Sequence, residues 1–336
     1  MSRGGRGASA APRSTVRTAA PAHPGGQWTS SAPLNQPRAA HGGAECGAIF
    51  VLGGWPDSDF SRALTDVERL DKIGGPRKKG PPLNEGRGNP AAAALNDRLY
   101  AIGGYPAGPG ALTSVEVLDC GTGTAWFYVR PLPDPKGRGS GAAAAAGDRI
   151  YVTGGDDGTT APSLNSLLIY DPKTDQWDTG TPMPTPRSNL KLVHLNGYLY
   201  AIGGIANGKP TGPALGTVER YDPAQDQWAA VASMITPRVN PATAVVGDQI
   251  VVIGGADGPN FDHLHPLETI EVYSPANDKW TTFDPPLNQA RRGMTSATVK
   301  GTAVLAIGGV FSMGQGFAVT PEVDPGPKIQ QVQHQR

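Results

Sequence analysis

RLYAIGG at 98–104 and YLYAIGG at 198–204 are two of six copies of one short run that ends in a glycine pair. The others are AIFVLGG (48–54), RIYVTGG (149–155), QIVVIGG (249–255) and AVLAIGG (303–309). Successive pairs lie 50, 51, 49, 51 and 54 residues apart. A fixed period in this range marks a solenoid, a propeller or an array. The runs are short, apolar and β-prone, as buried strands are.

Upstream of each glycine pair stands an arginine. Arg87, Arg138, Arg187, Arg238 and Arg292 lie sixteen residues before the first glycine, and Arg38 lies fifteen before. The interval holds two strands around a two-residue turn, such as Asn96-Asp97 or Asn196-Gly197, residue types that accept the positive φ of tight hairpins. After the glycines come a variable loop and a third strand: VERLD (67–71), VEVLD (115–119), LLIYD (167–171), VERYD (218–222) and IEVYS (270–274). Trp126, Trp177, Trp228 and Trp280, spaced 51, 51 and 52 residues apart, then open a fourth strand. A four-stranded meander of this size cannot bury both faces alone. Six of them stacked around an axis can, which predicts an all-β, six-bladed β-propeller with the repeated Tyr and Trp packed between blades.

The tryptophan count predicts how the ring closes. Trp28 opens QWTSSAPLNQPR (27–38), which has the form of a fourth strand, whereas no tryptophan follows Val323-Asp324-Pro325. The N-terminal strand at Trp28 is therefore expected to complete blade six and remove the open edges. The alternative is a strand from Lys328 to Gln333. The domain reading is a disordered Ala/Ser/Gly/Arg-rich leader over 1–26, a propeller over 27–325 and a tail over 326–336. Blade one departs from the pattern: KIGGPRKKG (72–80) replaces its tryptophan with Lys72, Arg77, Lys78 and Lys79, either a solvated turn or a patch for an anionic partner.

The combination of Arg, Gly-Gly, Tyr-Asp-Pro and Trp resembles the kelch repeat, across residues 27 to about 325. The resemblance implies recognition on the end where the loops after strand two emerge (55–66, 105–114, 156–166, 205–217, 256–269, 310–316), the same end that carries the six arginines. Arg38, Arg87, Arg138, Arg187, Arg238 and Arg292 are thus the candidate ligand-binding residues, their guanidiniums suited to carboxylate or phosphate. The competing reading is structural, because Glu68, Glu116, Glu219 and Glu271 recur at the start of strand three at the same end. The expected function is docking of a protein or peptide, of acidic character, by a stand-alone monomeric propeller with no companion domain.

An enzymatic alternative comes from the same resemblance. A six-bladed sialic acid mutarotase implies an acid/base pair at the channel mouth, and Glu219 with Arg187 or Arg238 is a conceivable one. Copper-radical oxidases need Tyr, His and a crosslinked Cys, and iron-dependent specifier proteins a Glu, Asp and His triplet; neither set is evident. The blade-five loop holds Asp257, Asp262, His263, His265 and Glu268, of which Asp262, His263 and His265 are the weak metal candidates. No cofactor is implied, and Asp156 and Asp157 read as turn residues.

Composition narrows the rest. With 29 basic and 29 acidic side chains the net charge is zero, so no global field points to nucleic acid or membrane. Glycine and proline are abundant (46 and 33), but the glycines recur in register and mark turns rather than disorder. No apolar run is long enough to span a bilayer. The leader has no hydrophobic segment of the secretory kind, and its basic, Ser-rich bias is shared by transit peptides and disordered tails. Cys46 and Cys120 do not make a disulfide framework, consistent with a reducing, cytoplasmic setting.

Overall fold

The computed structural model describes residues 28–29, 31–57, 60–72, 75–159, 162–206, 212–299, 303–313, 316–319 and 323–328. Each of the first five repeats folds as a four-stranded antiparallel sheet in simple meander order. Blade four shows the pattern: Lys191–Leu195, Tyr198–Ile202, Val218–Asp222 and Gln227–Val231. The sixth sheet has three strands among the described residues, Thr295–Val299, Ala303–Ile307 and Val323–Lys328. The first strands of successive repeats lie against one another in a closed circuit, blade six meeting blade one, so they line a central axis. The propeller follows, with five complete blades and a three-stranded sixth.

The tight turns behave as their residues dictate. Asn96 and Asp97 sit at φ 51° and 57°, the left-handed conformation that a two-residue hairpin requires. Both glycines of every pair also have positive φ. A Cβ on Gly103 would stand 2.1 Å from the Arg138 carbonyl oxygen of the next blade, so the pair permits backbone of one blade to press on its neighbour.

The repeated aromatic and acidic residues staple blade to blade. The Tyr170, Tyr221 and Tyr273 hydroxyls each donate to Asp175, Asp226 and Asp278 at 2.7 Å. Those carboxylates accept the backbone N–H of Arg130, Thr181 and Ala232 in the preceding blade. The Trp177, Trp228 and Trp280 indoles donate to the carbonyls of the same three residues at 2.8–3.0 Å. Trp28 continues this series across the chain ends: its indole donates to Pro285 O at 3.2 Å, and its own carbonyl accepts from Asn288. It is buried among residues such as Ala244, Val272 and Met294. Trp28 thus fills the place of the blade-six tryptophan, although no strand is assigned at Trp28 and Thr29.

One reading of the sequence is corrected. Cys46, in the first turn of blade one, and Cys120, just after strand three of blade two, form a disulfide with Cα atoms 5.9 Å apart. Sequence counting missed it because the partners are 74 residues apart and meet only once two blades stack. The pairing also withdraws the argument for a reducing compartment. In blade one the fourth strand shrinks to Lys78–Lys79, and its basic cluster is partly engaged internally. Lys78 pairs with Asp71 at 2.6 Å, and Arg77 donates to the Ala32 carbonyl, tying down the segment after Trp28. The leader (1–26) and residues 329–336 lie outside the described residues, while 326–328 of the expected tail belong to the last strand.

Candidate functional site at the channel mouth

Arg38, Arg87, Arg187 and Arg238 are 0% exposed and Arg138 is 2% exposed. Arg38, Arg87, Arg187 and Arg238 pair with Glu68, Glu116, Glu219 and Glu271 at 2.6–3.0 Å. Blade three has Leu168 where blades one, two, four and five have glutamate, and Arg138 uses Asp134 at 2.7 Å instead. Arg38, Arg87, Arg138 and Arg238 also donate to the carbonyl of the first glycine in their pair, at 2.7–2.9 Å. These five side chains are braces between the loop end of a blade and its second strand. Burial pushes the pKa of Arg38, Arg138 and Arg187 down, while the adjacent carboxylates push it back up. The Glu219–Arg187 pair conceived for the enzymatic alternative does meet, at 2.7 Å, but both residues are buried and neither lines the channel-mouth cavity.

Blade six carries a register correction. The residue in the brace position is Arg291, which is fully buried and donates to Gly308 O at 3.2 Å. The loop there is one residue longer than in blades two to five, so counting sixteen residues back from Gly308 lands on Arg292. Arg292 instead occupies the next position, bridged to Val310 just as Gly88 is bridged to Tyr105 and Gly139 to Asp156. Its guanidinium lies over the Phe261 ring at 5.4 Å and faces the channel mouth. Burial lowers its pKa to about 10, which leaves it charged at neutral pH.

A cavity of about 240 Å³ opens at this mouth, and Arg292 forms part of its wall. The opposing wall is built by residues that directly follow glycine pairs: Trp55, Tyr105 and Asp156. Glycines in the neighbouring blade make room for the two rings. A Cβ on Gly88 would stand 1.9 Å from Trp55 Cε2, and one on Gly139 would stand 2.3 Å from Tyr105 Cε1. In blades four, five and six the same positions hold Ile205, Ala256 and Val310, all buried. The mouth is therefore asymmetric, polar and aromatic toward blades one to three. Phe60 meets Trp55 edge-on at 5.7 Å and is 41% exposed, which places it at the rim.

The floor is a ring of one residue per blade: Ala40, Asn89, Ser140, Asn189, Asn240 and Gly293, all at positive φ. Each N–H donates to the carbonyl of the preceding member, and Ala40 closes the circuit on Gly293 at 2.7 Å. Each member stands two residues after its brace arginine, which independently fixes Arg291 as the sixth brace. The side chains are also linked: Trp55 donates to Asn89 at 3.0 Å, and Asn89 donates to Ser140 at 3.0 Å. Tyr105 donates to Asp156 Oδ1 at 2.5 Å, and burial together with the facing carboxylate raises the phenol's pKa well above its ordinary value. Asp156 Oδ2 is buried and finds no hydrogen-bond partner among the described residues. Asp156 is thus a cavity residue as well as the turn residue expected, its Oδ1 also accepting from the Gly158 N–H at 3.0 Å. The signal that would have found this wall is the variable residue after each invariant glycine pair.

The blade-five acidic and histidine residues do not gather. His263 Nδ1 lies 2.7 Å from Asn260 Oδ1, and His265 Nδ1 stands 4.0 Å from Asp257 Oδ1. Among the described residues no three His, Cys, Asp or Glu side chains converge as metal ligands, the set of Asp262, His263 and His265 included. No helix is long and apolar enough to cross a membrane among those residues.

Comparison with known proteins agrees with this architecture. The family model described as the KLHDC2/KLHL20/DRC7 Kelch-repeats domain matches residues 90–309. Kelch-like protein 36 of Bos taurus is 31% identical over 260 residues, covering 76% of this chain and 41% of that protein. Kelch-like protein 34 of Homo sapiens is 30% identical over 289 residues, covering 82% of this chain and 43% of its own length. The chain therefore spans less than half the length of these curated relatives. Among solved structures, that of YjhT superposes with a TM-score of 0.71 at 18% identity, over 88% of this chain and 96% of the other, a likeness of fold. From its glycine pairs, its arginine braces and these matches together, the chain belongs to the kelch-repeat family of β-propellers.

Proposed function

We propose that this propeller is a recognition module that docks an acidic peptide segment of a protein partner into the channel-mouth cavity. The observation that carries the reading is the meeting of three chemistries in one cavity: the Arg292 guanidinium, the Trp55 and Phe261 rings, and the unpartnered oxygen of Asp156. A carboxylate of the ligand pairs with Arg292, a neighbouring N–H or ammonium donates to Asp156 Oδ2, and apolar atoms lie on the aromatic rings. The volume, about 240 Å³, suits one or two side chains of a longer segment that continues over the loops. The kelch-like relatives support a protein partner. The brace arginines contribute shape and no direct contact.

The test is selection of a displayed random-peptide library on the propeller. Enriched sequences are expected to contain Asp or Glu, and Arg292→Met is expected to weaken them by roughly tenfold to a hundredfold, the worth of a charge-assisted hydrogen bond. Equal affinity for wild type and Arg292→Met would refute the reading. A second reading, an enzyme acting on a small anionic or carbohydrate substrate, is favoured by one feature: Asp156 and Tyr105 form a hydrogen-bonded acidic pair facing Arg292 across the cavity. Saturation-transfer NMR with N-acetylneuraminic acid separates the two readings. An Asp156-dependent signal without any selected peptide would favour the enzyme.

A further inference from the structure

Below the floor ring lies a second cavity of about 160 Å³, bounded by the first strands of all six repeats. The six positions paired with the last residue of strand two are Gly42, Ala91, Ala142, Lys191, Ala242 and Thr295. Five are small, which is what lets the strands approach the axis. The fourth is a lysine, and its side chain lines both this channel and the constriction of about 30 Å³ at the ring above it.

Lys191 stands out electrostatically as well. Burial alone lowers its pKa, to about 8, with no neighbouring carboxylate raising it. The titratable group whose field reaches it from the facing blades is His41, and burial holds that imidazole neutral, with its pKa pushed down to about 3. Lys191 is half-buried, so its ammonium, charged at neutral pH, stands on the wall of a channel bounded by all six repeats, and among the described residues no carboxylate lines that channel. Around it the first strands are the end members of their sheets. Thr295 adds a hydroxyl to the same wall.

We propose that the channel holds a small monovalent inorganic anion, of the halide class, on the Lys191 ammonium, with the Thr295 hydroxyl in the same wall. A single positive charge selects a single negative one. The constriction holds only about 30 Å³ against about 160 Å³ in the channel below it, which favours a small anion. This site is independent of the peptide cavity, because the ring of Asn89, Ser140, Asn189 and Asn240 separates the two.

Bromide is the probe. Crystals soaked in sodium bromide are expected to show an anomalous peak in contact with Lys191 Nζ, absent from Lys191→Met and from Lys191→Ala, the residue that three other repeats carry at this register. In solution, excess broadening of the bromide NMR line by wild-type protein at pH 7 is expected to fall at least about tenfold by pH 10, as the ammonium loses its proton. A channel filled with water and no peak, a peak that persists in the variants, or broadening unchanged at pH 10 would each overturn the proposal. The pH comparison needs no variant and decides the matter even if neither substitution folds.

Discussion

Arg87→Ala offers the sharpest separation between an arginine that braces the fold and one that binds a ligand. Arg87 donates to Glu116 Oε1 from Nε and Nη2 at 3.1 and 2.7 Å, to Gly103 O at 2.8 Å and to Ser114 O at 3.0 Å. Both members of the pair are 0% exposed. Truncation leaves the Glu116 carboxylate buried with only the N–H groups of Asn84 and Glu85. Breaking a buried ion pair in this way costs about 3–5 kcal/mol. The two orphaned carbonyls add a comparable sum at about 1–3 kcal/mol each, reduced to the extent that water enters the gap. A domain stable by about 5–15 kcal/mol loses much or all of its margin. Removing both charges together, as in Arg87→Met with Glu116→Leu, is expected to recover most of the loss, because no charge then stays buried alone. Equilibrium urea unfolding followed by tryptophan fluorescence measures both variants against wild type. A single variant within about 1 kcal/mol of wild type, with ligand affinity abolished, would refute the brace assignment.

Other perturbations read other parts of the account. Reducing the Cys46–Cys120 disulfide, whose partners are 74 residues apart, is expected to cost about 4 kcal/mol by the chain-entropy argument, read as a drop in unfolding midpoint with dithiothreitol that Cys46→Ala with Cys120→Ala reproduces without reductant. In halide-free buffer Lys191→Met is expected to stabilise the protein at pH 7. The native Lys191 pKa is about 8 against an ordinary 10.5, so the unfolded chain binds the extra proton between those values and wild-type stability rises with pH there. That rise, on the order of 3 kcal/mol, is expected to vanish in the variant. Asp226 and Asp278 are depressed below the ordinary carboxylate range, Asp226 chiefly by the Tyr221 hydroxyl and Asp278 chiefly by the Ala232 N–H. Their contribution is present above about pH 4 and lost as pH falls through their native values, so Asp226→Asn with Asp278→Asn is expected to flatten the acid limb of stability between pH 5 and 2.

The scaffold was readable because it repeats. Glycine pairs, hairpin turns such as Asn96-Asp97 and the Tyr, Asp and Trp staples solve the same packing problem in blade after blade, and repetition exposes them to simple alignment. Trp28 could be matched to blade six for the same reason. What does not repeat was harder to read. Trp55, Tyr105 and Asp156 share a register but no chemistry, so their convergence on the axis becomes visible only when the ring is assembled. Arg292 was selected by counting back from Gly308, yet its place in the mouth comes from a one-residue loop extension that hands the brace position to Arg291. The disulfide escaped because Cys46 and Cys120 belong to different blades, and local spacing carries no information about which blades touch.

On the proposed reading, recognition sits on the axis, at the cavity bounded by Arg292, Trp55 and Asp156, and the blade arginines only hold the loops in place. A crystal structure of the propeller with a library-selected peptide tests it most directly. The expected result is a peptide carboxylate on the Arg292 guanidinium, a peptide N–H or ammonium on Asp156 Oδ2, and Arg87, Arg187 and Arg238 still paired with Glu116, Glu219 and Glu271. A peptide seated on the opposite end of the ring or along an outer strand, with the mouth cavity empty, would contradict it.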